Sequence, residues 1–153
     1  MDEFFDTCVE IESTMSLIYR RMADTVKGND RLRGLMLQMA KDEADHVTQI
    51  RFARLLLAQG GVAAIKPSKI RLDLLLLKAQ SLLRNIETAC LGEEDVLLQA
   101  IAMEEDFMQV HVSAALEFTD PKLRERLQLL AREDEKHIAT LRDYHQEVYR
   151  RSA

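Results

Sequence analysis

The sequence predicts an all-α protein, a four-helix bundle with one long crossover. Three observations carry that reading. Turn formers are scarce, with two prolines and five glycines in 153 residues. Apolar residues recur in steps of three and four along four segments, the period of a helix that buries one face. Short polar breaks join the first two segments and the last two, whereas residues 61–92 form one long connection.

The first segment carries its seam on Phe5, Cys8, Glu12, Met15, Tyr19, Met22 and Val26, and the second on Leu32, Met36, Met39, Glu43, His46, Ile50, Ala53 and Leu57. The third runs Leu97, Ile101, Glu104, Met108, His111, Ala115, Phe118. The fourth runs Leu123, Leu127, Leu130, Asp134, His137, Leu141, Tyr144, Val148. Acids or imidazoles interrupt the buried side of each. Between the first two segments, Lys27-Gly28-Asn29-Asp30 reads as a stop and a restart, with Asp30 as N-cap. Between the last two, Asp120 is the expected N-cap and Pro121 the first helical residue. Joins this tight make each pair antiparallel. Gly60-Gly61 is expected to end the second helix. The long connection lets the third run parallel to the second, and within it Leu75, Ala79, Leu82 and Ile86 predict an additional amphipathic helix over residues 70–90, lying over the bundle or facing a second subunit.

Composition bounds the partners. With 47 % hydrophobic and 31 % charged residues, the chain suits one soluble domain with a substantial core. A net charge of −5 without a basic cluster argues against nucleic acid. The start, Met-Asp-Glu-Phe-Phe-Asp, is acidic where a secretory signal requires positive charge. No run of 18 apolar residues occurs, since Asp73 and Lys78 flank Leu74–Leu77. A cytoplasmic protein without a membrane partner is expected. Cys8 and Cys90 form no CxxC pair, and Cys8 reads as a small core residue.

The chain also repeats itself. Residues 40–46 read Ala-Lys-Asp-Glu-Ala-Asp-His and residues 131–137 read Ala-Arg-Glu-Asp-Glu-Lys-His. Each copy sets an acid three residues before a histidine, Glu43 before His46 and Asp134 before His137, so both face one way on a helix. Upstream of each lies an acid followed seven residues later by a polar ring, Glu12 then Tyr19 and Glu104 then His111. His46 maps to His137 at an offset of 91, and Glu12 to Glu104 at 92. One domain, residues 1–153, is thus read as a duplicated helix pair, 1–60 and 93–151, joined by the crossover 61–92, with a pseudo-twofold axis through the bundle.

Seam positions make up about two in seven of a helix, yet three of the four histidines fall on them and only His145 does not. A buried carboxylate costs several kcal/mol unless neutralised, and no Lys or Arg occupies the central seam levels. Two divalent cations would cancel the four carboxylates. The expected metal ligands are therefore Glu12, Glu43, His46, Glu104, Asp134 and His137. Glu10, Glu105, Glu133 and Glu135 compete by proximity but lie off the seam. Oxygen and nitrogen donors without sulfur suit iron or manganese, with zinc admissible. Tyr19 and His111 lie about 10.5 Å along the axis from Glu12 and Glu104, too far to share an ion through their own helix. The pseudo-symmetry pairs Tyr19 with Glu104 and His111 with Glu12 as hydrogen-bonding supports; packing alone is the other reading of Tyr19.

On the Glu12-to-Tyr19 spacing, the Glu43-Ala-Asp-His46 motif and its repeat in the last two helices, the chain resembles the ferritin-like superfamily, specifically its rubrerythrin-like branch. The resemblance covers nearly the whole chain. It implies a ferritin-like bundle, often dimeric, with a carboxylate-bridged diiron centre that reduces hydrogen peroxide. Three features depart from that pattern. Asp134 stands where Glu is usual, His111 where Tyr is usual, and the cysteine-rich rubredoxin domain is absent. Electrons would then come from an external donor, rubredoxin-like or another reductase. The leading expectation is a non-haem diiron oxidoreductase acting on peroxide or dioxygen, as a homodimer. The alternatives are a ferroxidase or iron-handling protein, and a non-catalytic binding or sensor module with a structural metal.

Overall fold

The computed structural model describes residues 2–26, 28–58, 69–88 and 92–150. Every element is helical: α1 (Asp2–Thr25), α2 (Asp30–Ala58), α3 (Lys69–Glu87), α4 (Glu93–Glu117), α5 (Pro121–His145) and a π-helical turn, Gln146–Arg150. The all-α class and the additional helix are as expected. Gly60-Gly61 and the last residues of the expected 70–90 helix, 89 and 90, lie outside the described residues, as does Cys90. No described helix is long and apolar enough to cross a membrane.

The two tight joins are built differently. After α1 the chain turns through Gly28, whose φ of 75° suits a residue without Cβ. The cap of α2 is Asn29 rather than the expected Asp30: Asn29 Oδ1 accepts from Leu32 N at 3.0 Å. Its Nδ2 donates to Tyr144 Oη at 2.6 Å, a second contact that a carboxylate could not donate. Asp30 sits in the first turn, where its charge complements the positive end of the helix dipole. Before α5, Asp120 accepts from Leu123 N at 2.9 Å and Pro121 opens the helix, as expected.

Side-chain contacts give the helix directions. Ser16 donates to Ala40 O at 2.6 Å and Arg54 reaches Asp6 at 2.6 Å, so α1 and α2 are antiparallel. His145 meets Glu94 across α4 and α5 at the end opposite their join, so these two are antiparallel as well. Tyr19 meets Glu104 across α1 and α4, while His46 and Glu133 meet across α2 and α5. Neighbours around the bundle therefore run antiparallel, and α2 and α4 run parallel.

α3 covers the α1–α4 side. Its inner face, Leu72, Leu75, Ala79, Leu82 and Ile86, is buried, and Lys78–Asp106 and Gln80–Glu10 tie it to α4 and α1. Of the two placements open from sequence, its inner face takes the bundle. Nearly all the seam residues are buried; Leu57, Met108 and Val148 are only partly so. His145, off the seam, is buried all the same. The π turn shifts the register after it and brings Tyr149 to 5.4 Å from its ring, while Glu94 Oε1 lies 2.9 Å from its Nε2.

Candidate metal centre

Each bundle helix brings one acid and one ring to the middle. α1 supplies Glu12 and Tyr19, α2 Glu43 and His46, α4 Glu104 and His111, α5 Asp134 and His137; all eight are buried. Acid and histidine three apart on α2 and α5 point the same way because successive helical turns stack their side chains.

The geometry centres on Glu43. Its Oε2 lies 3.3 Å from His46 Nδ1 and its Oε1 3.1 Å from His137 Nδ1. Glu12 Oε2 and Asp134 Oδ1 approach His46 Nδ1 at 3.5 and 3.7 Å. Glu104 Oε2 approaches His137 Nδ1 at 3.6 Å. Three groups keep their ligand atoms within 4.8 Å of one another: Glu12 with Glu43 and His46, Glu43 with Glu104 and His137, and Glu12 with His111 and Asp134. The structure thus brings all six expected ligands together, and His111 with them.

Many of these atoms are close but unbonded. Among the described residues, eight buried side-chain polar atoms have no hydrogen-bond partner, and seven belong to this cluster; the eighth is Oε1 of nearby Gln49. Both oxygens of Glu12 and the inward Nδ1 of both histidines are among them. A buried group left unsatisfied costs about 1–3 kcal/mol, more when charged, and native interiors hold few of them. Concentrated between facing carboxylates and imidazoles, these atoms suit metal ions, and the residues present fit such ions chemically.

The two supporting rings differ. Tyr19 donates to Glu104 Oε1 at 2.5 Å, the contact that the pseudo-symmetry predicts. The hydrogen bond of His111, by contrast, goes to Asp134: Nδ1 lies 2.7 Å from Oδ2. Its Nε2 faces Glu12 Oε1 at 3.7 Å, too far for a hydrogen bond. The expected His111–Glu12 pairing is therefore replaced by His111–Asp134. With one methylene less than Glu, Asp134 keeps its carboxylate near α5 and within reach of the α4 ring.

Two further residues have a part in the site: Glu133, set aside from sequence as off the seam, and Asp42, not singled out there. Glu133 Oε2 lies 3.2 Å from the outer nitrogen of His46 and accepts from Gln49 at 3.1 Å. Asp42 Oδ2 lies 3.4 Å from the outer nitrogen of His137. Outer carboxylates of this kind fix the ring orientation and tautomer of a ligating histidine. The signal was present in the repeat, where the residue before each inward acid is itself acidic.

Without metal, protons hold the cluster together. Burial pushes the Glu12 carboxyl well up, and the charge of Glu43 adds to this. Burial acts on Glu43 too, but Glu12, His137 and His46 beside it outweigh that and hold it below the usual carboxylate range. Burial and then Glu43 push Glu104 up to about 7. Burial opposes the charged form of both imidazoles, yet the carboxylates around them raise His46 to about 9 and His137 to about 10. Burial, then the charge of Glu104, raises the Tyr19 hydroxyl. Burial, then Glu12, also raises the Cys8 thiol, which keeps it a neutral core group.

A cleft of about 350 Å³ between α2 and α5 reaches the outer edges of both histidines. Asp42, Asp45, Glu133 and Lys136 are among its lining residues. It opens opposite the side that α3 covers. Comparison with protein-family models, with curated proteins and with solved structures gave no match.

Proposed function

We propose that the bundle holds a dinuclear metal centre, with iron as the leading metal, and that the protein is a diiron oxidoreductase of the ferritin-like, rubrerythrin type. The observation that carries this reading is the division of Glu43, one oxygen 3.3 Å from His46 Nδ1 and the other 3.1 Å from His137 Nδ1. A carboxylate divided in this way suits a bridge between two ions. Two ferrous ions would supply the two electrons that, with two protons, convert one hydrogen peroxide to two waters, and dioxygen is the alternative oxidant.

The chain's own residues do the rest. Glu12, Glu43, Glu104 and Asp134 balance the charge of two divalent cations. Asp42 and Glu133 hold the outer imidazole nitrogens, so that the Nδ1 lone pairs point inward. Tyr19 fixes the rotamer of Glu104. The cleft beside His46 and His137 admits a molecule the size of peroxide. Electrons come from a separate donor. The exposed Ile70, Leu74 and Leu77 on the outer face of α3 support a homodimer.

A second reading, ferroxidase or iron handling with iron as substrate, draws on the acids at the cleft mouth, which attract cations. Manganese or zinc would satisfy the same donors. Metal per chain after anaerobic Fe(II) loading, in the wild type and in Glu43→Ala, tests the centre. Two irons in the wild type, lost in the variant, are expected, and peroxide turnover against oxygen uptake then separates the two readings. No iron in the wild type overturns both and leaves a helical binding module.

A further inference from the structure

We propose that His111 is itself a metal ligand, through Nε2, and that Asp134 acts chiefly to orient it. The inference rests on the dinuclear reading above and goes beyond it, because it makes the two metal positions chemically unlike.

His111 occupies the place that pseudo-symmetry assigns to a counterpart of Tyr19. A tyrosine there has one polar atom, and Tyr19 commits it to Glu104. An imidazole has two. His111 Nδ1 lies 2.7 Å from Asp134 Oδ2, a bond in which the ring nitrogen donates when the carboxylate is ionised. In the neutral ring the lone pair is then on Nε2. That atom is fully buried and has no hydrogen-bond partner. It faces Glu12 Oε1, also without a partner, at 3.7 Å. A ring lone pair and a carboxylate oxygen that face each other in a dry interior need a proton or a metal ion between them. Ligands about 2.1 Å from one ion stand about 3–3.5 Å from each other, so a small closure of this gap would seat one. Phe107, with its ring centre 4.4 Å from that of His111, packs against the imidazole and limits its swing.

Asp134 supplies the complementary half. Its Oδ2 is engaged by His111, which leaves Oδ1, itself without a partner, facing His46 Nδ1 at 3.7 Å. It cannot offer its two oxygens to two ions as Glu43 could. The two departures from the rubrerythrin pattern, Asp134 and His111, are thus in direct contact: one position gives up a bridging oxygen and the other adds a nitrogen. One metal position then draws on Glu43, Glu104 and His137. The other centres on Glu12, which shares one group with Glu43 and His46 and a second with His111 and Asp134.

Side-chain ¹⁵N NMR of the whole protein, metal-free and loaded with diamagnetic Zn(II), tests this directly. The expected result is a metal-induced shift of His111 Nε2 alongside the Nδ1 shifts of His46 and His137, with His111 Nδ1 still protonated. His111→Phe and His111→Gln, checked for helicity by circular dichroism, should weaken one of two Zn(II) ions by about 10-fold or more and leave the other. If a variant fails to fold, the wild-type spectra decide alone. Bound Zn(II) that shifts the other two histidines but leaves His111 Nε2 unshifted overturns this inference and keeps the metal centre. Absence of any bound metal overturns both.

Discussion

At the Glu104 side of the centre, a phenol donates its single proton to one carboxylate oxygen and is then spent. At the Glu12 side, an imidazole pairs one nitrogen with Asp134 and keeps the second aimed at Glu12. The halves of the bundle bring the same classes of residue to matching positions, yet they satisfy them differently. Sequence repetition therefore carries the placement of side chains over from one half to the other, but not their bonding. A one-methylene change in Asp134 and a ring change in His111 are enough to reroute a hydrogen bond from the facing helix to the neighbouring one.

The largest effect should come from pH. Both halves share Glu43 as counter-charge for two imidazoles, so the metal-free protein depends on their protons. The folded values, raised from 6.5 to about 9 for His46 and about 10 for His137, mean that the folded state binds more protons than the unfolded one. That contribution is fully present below pH 6.5 and is lost as pH rises through about 9 and about 10. For His46 it is on the order of 3 kcal/mol. Glu104, raised from 4.5 to about 7, works in the same direction at lower pH. The Tm of the metal-free protein should therefore fall from pH 6.5 to 10. Bound metal, which displaces those protons, should flatten the profile. A flat profile without metal would mean that the two imidazoles are not held charged around Glu43.

Tyr19→Phe sharpens the contrast between the halves. It leaves Glu104 Oε1 without its donor and should cost about 1–3 kcal/mol in the metal-free protein, read by urea unfolding. Ions on the Glu12 side should bind as before. Equal losses of both ions in Tyr19→Phe would show one coupled centre rather than two unlike positions.

The smallest effect distinguishes the joins. Asn29→Ala should cost about 1 kcal/mol through the lost cap of α2, with an added loss where its amide reaches Tyr144. Asp30→Ala should fall within about 0.5 kcal/mol of the wild type. Reversed magnitudes would return the cap to Asp30.

Much of this was legible in the sequence. Steps of three and four placed the seam residues Glu12, Glu43, His46, Glu104, Asp134 and His137 on inner faces, and the structure buries all six together. The Tyr19–Glu104 contact followed from pseudo-symmetry because a helix carries axial distance faithfully. The cap assignment missed because Asn29 and Asp30 are equally good cap types; the facing Tyr144, 115 residues away from Asn29, is a contact that local chemistry does not see. The burial of His145 was hidden because Tyr149, brought against its ring by the π turn, and Glu94 of α4 lie beside it.

The sequence by itself determined the helical class, the four inner faces, and which acids and rings occupy them, because those depend on a local period of 3.6 residues. Only the tertiary structure decided how Glu43 divides its oxygens, why Asp134 turns to His111, and that Asp42 and Glu133 stand behind the histidines. Those choices depend on interhelical spacing and side-chain rotamers. A helical period says which way a residue points, but not what it meets across the bundle.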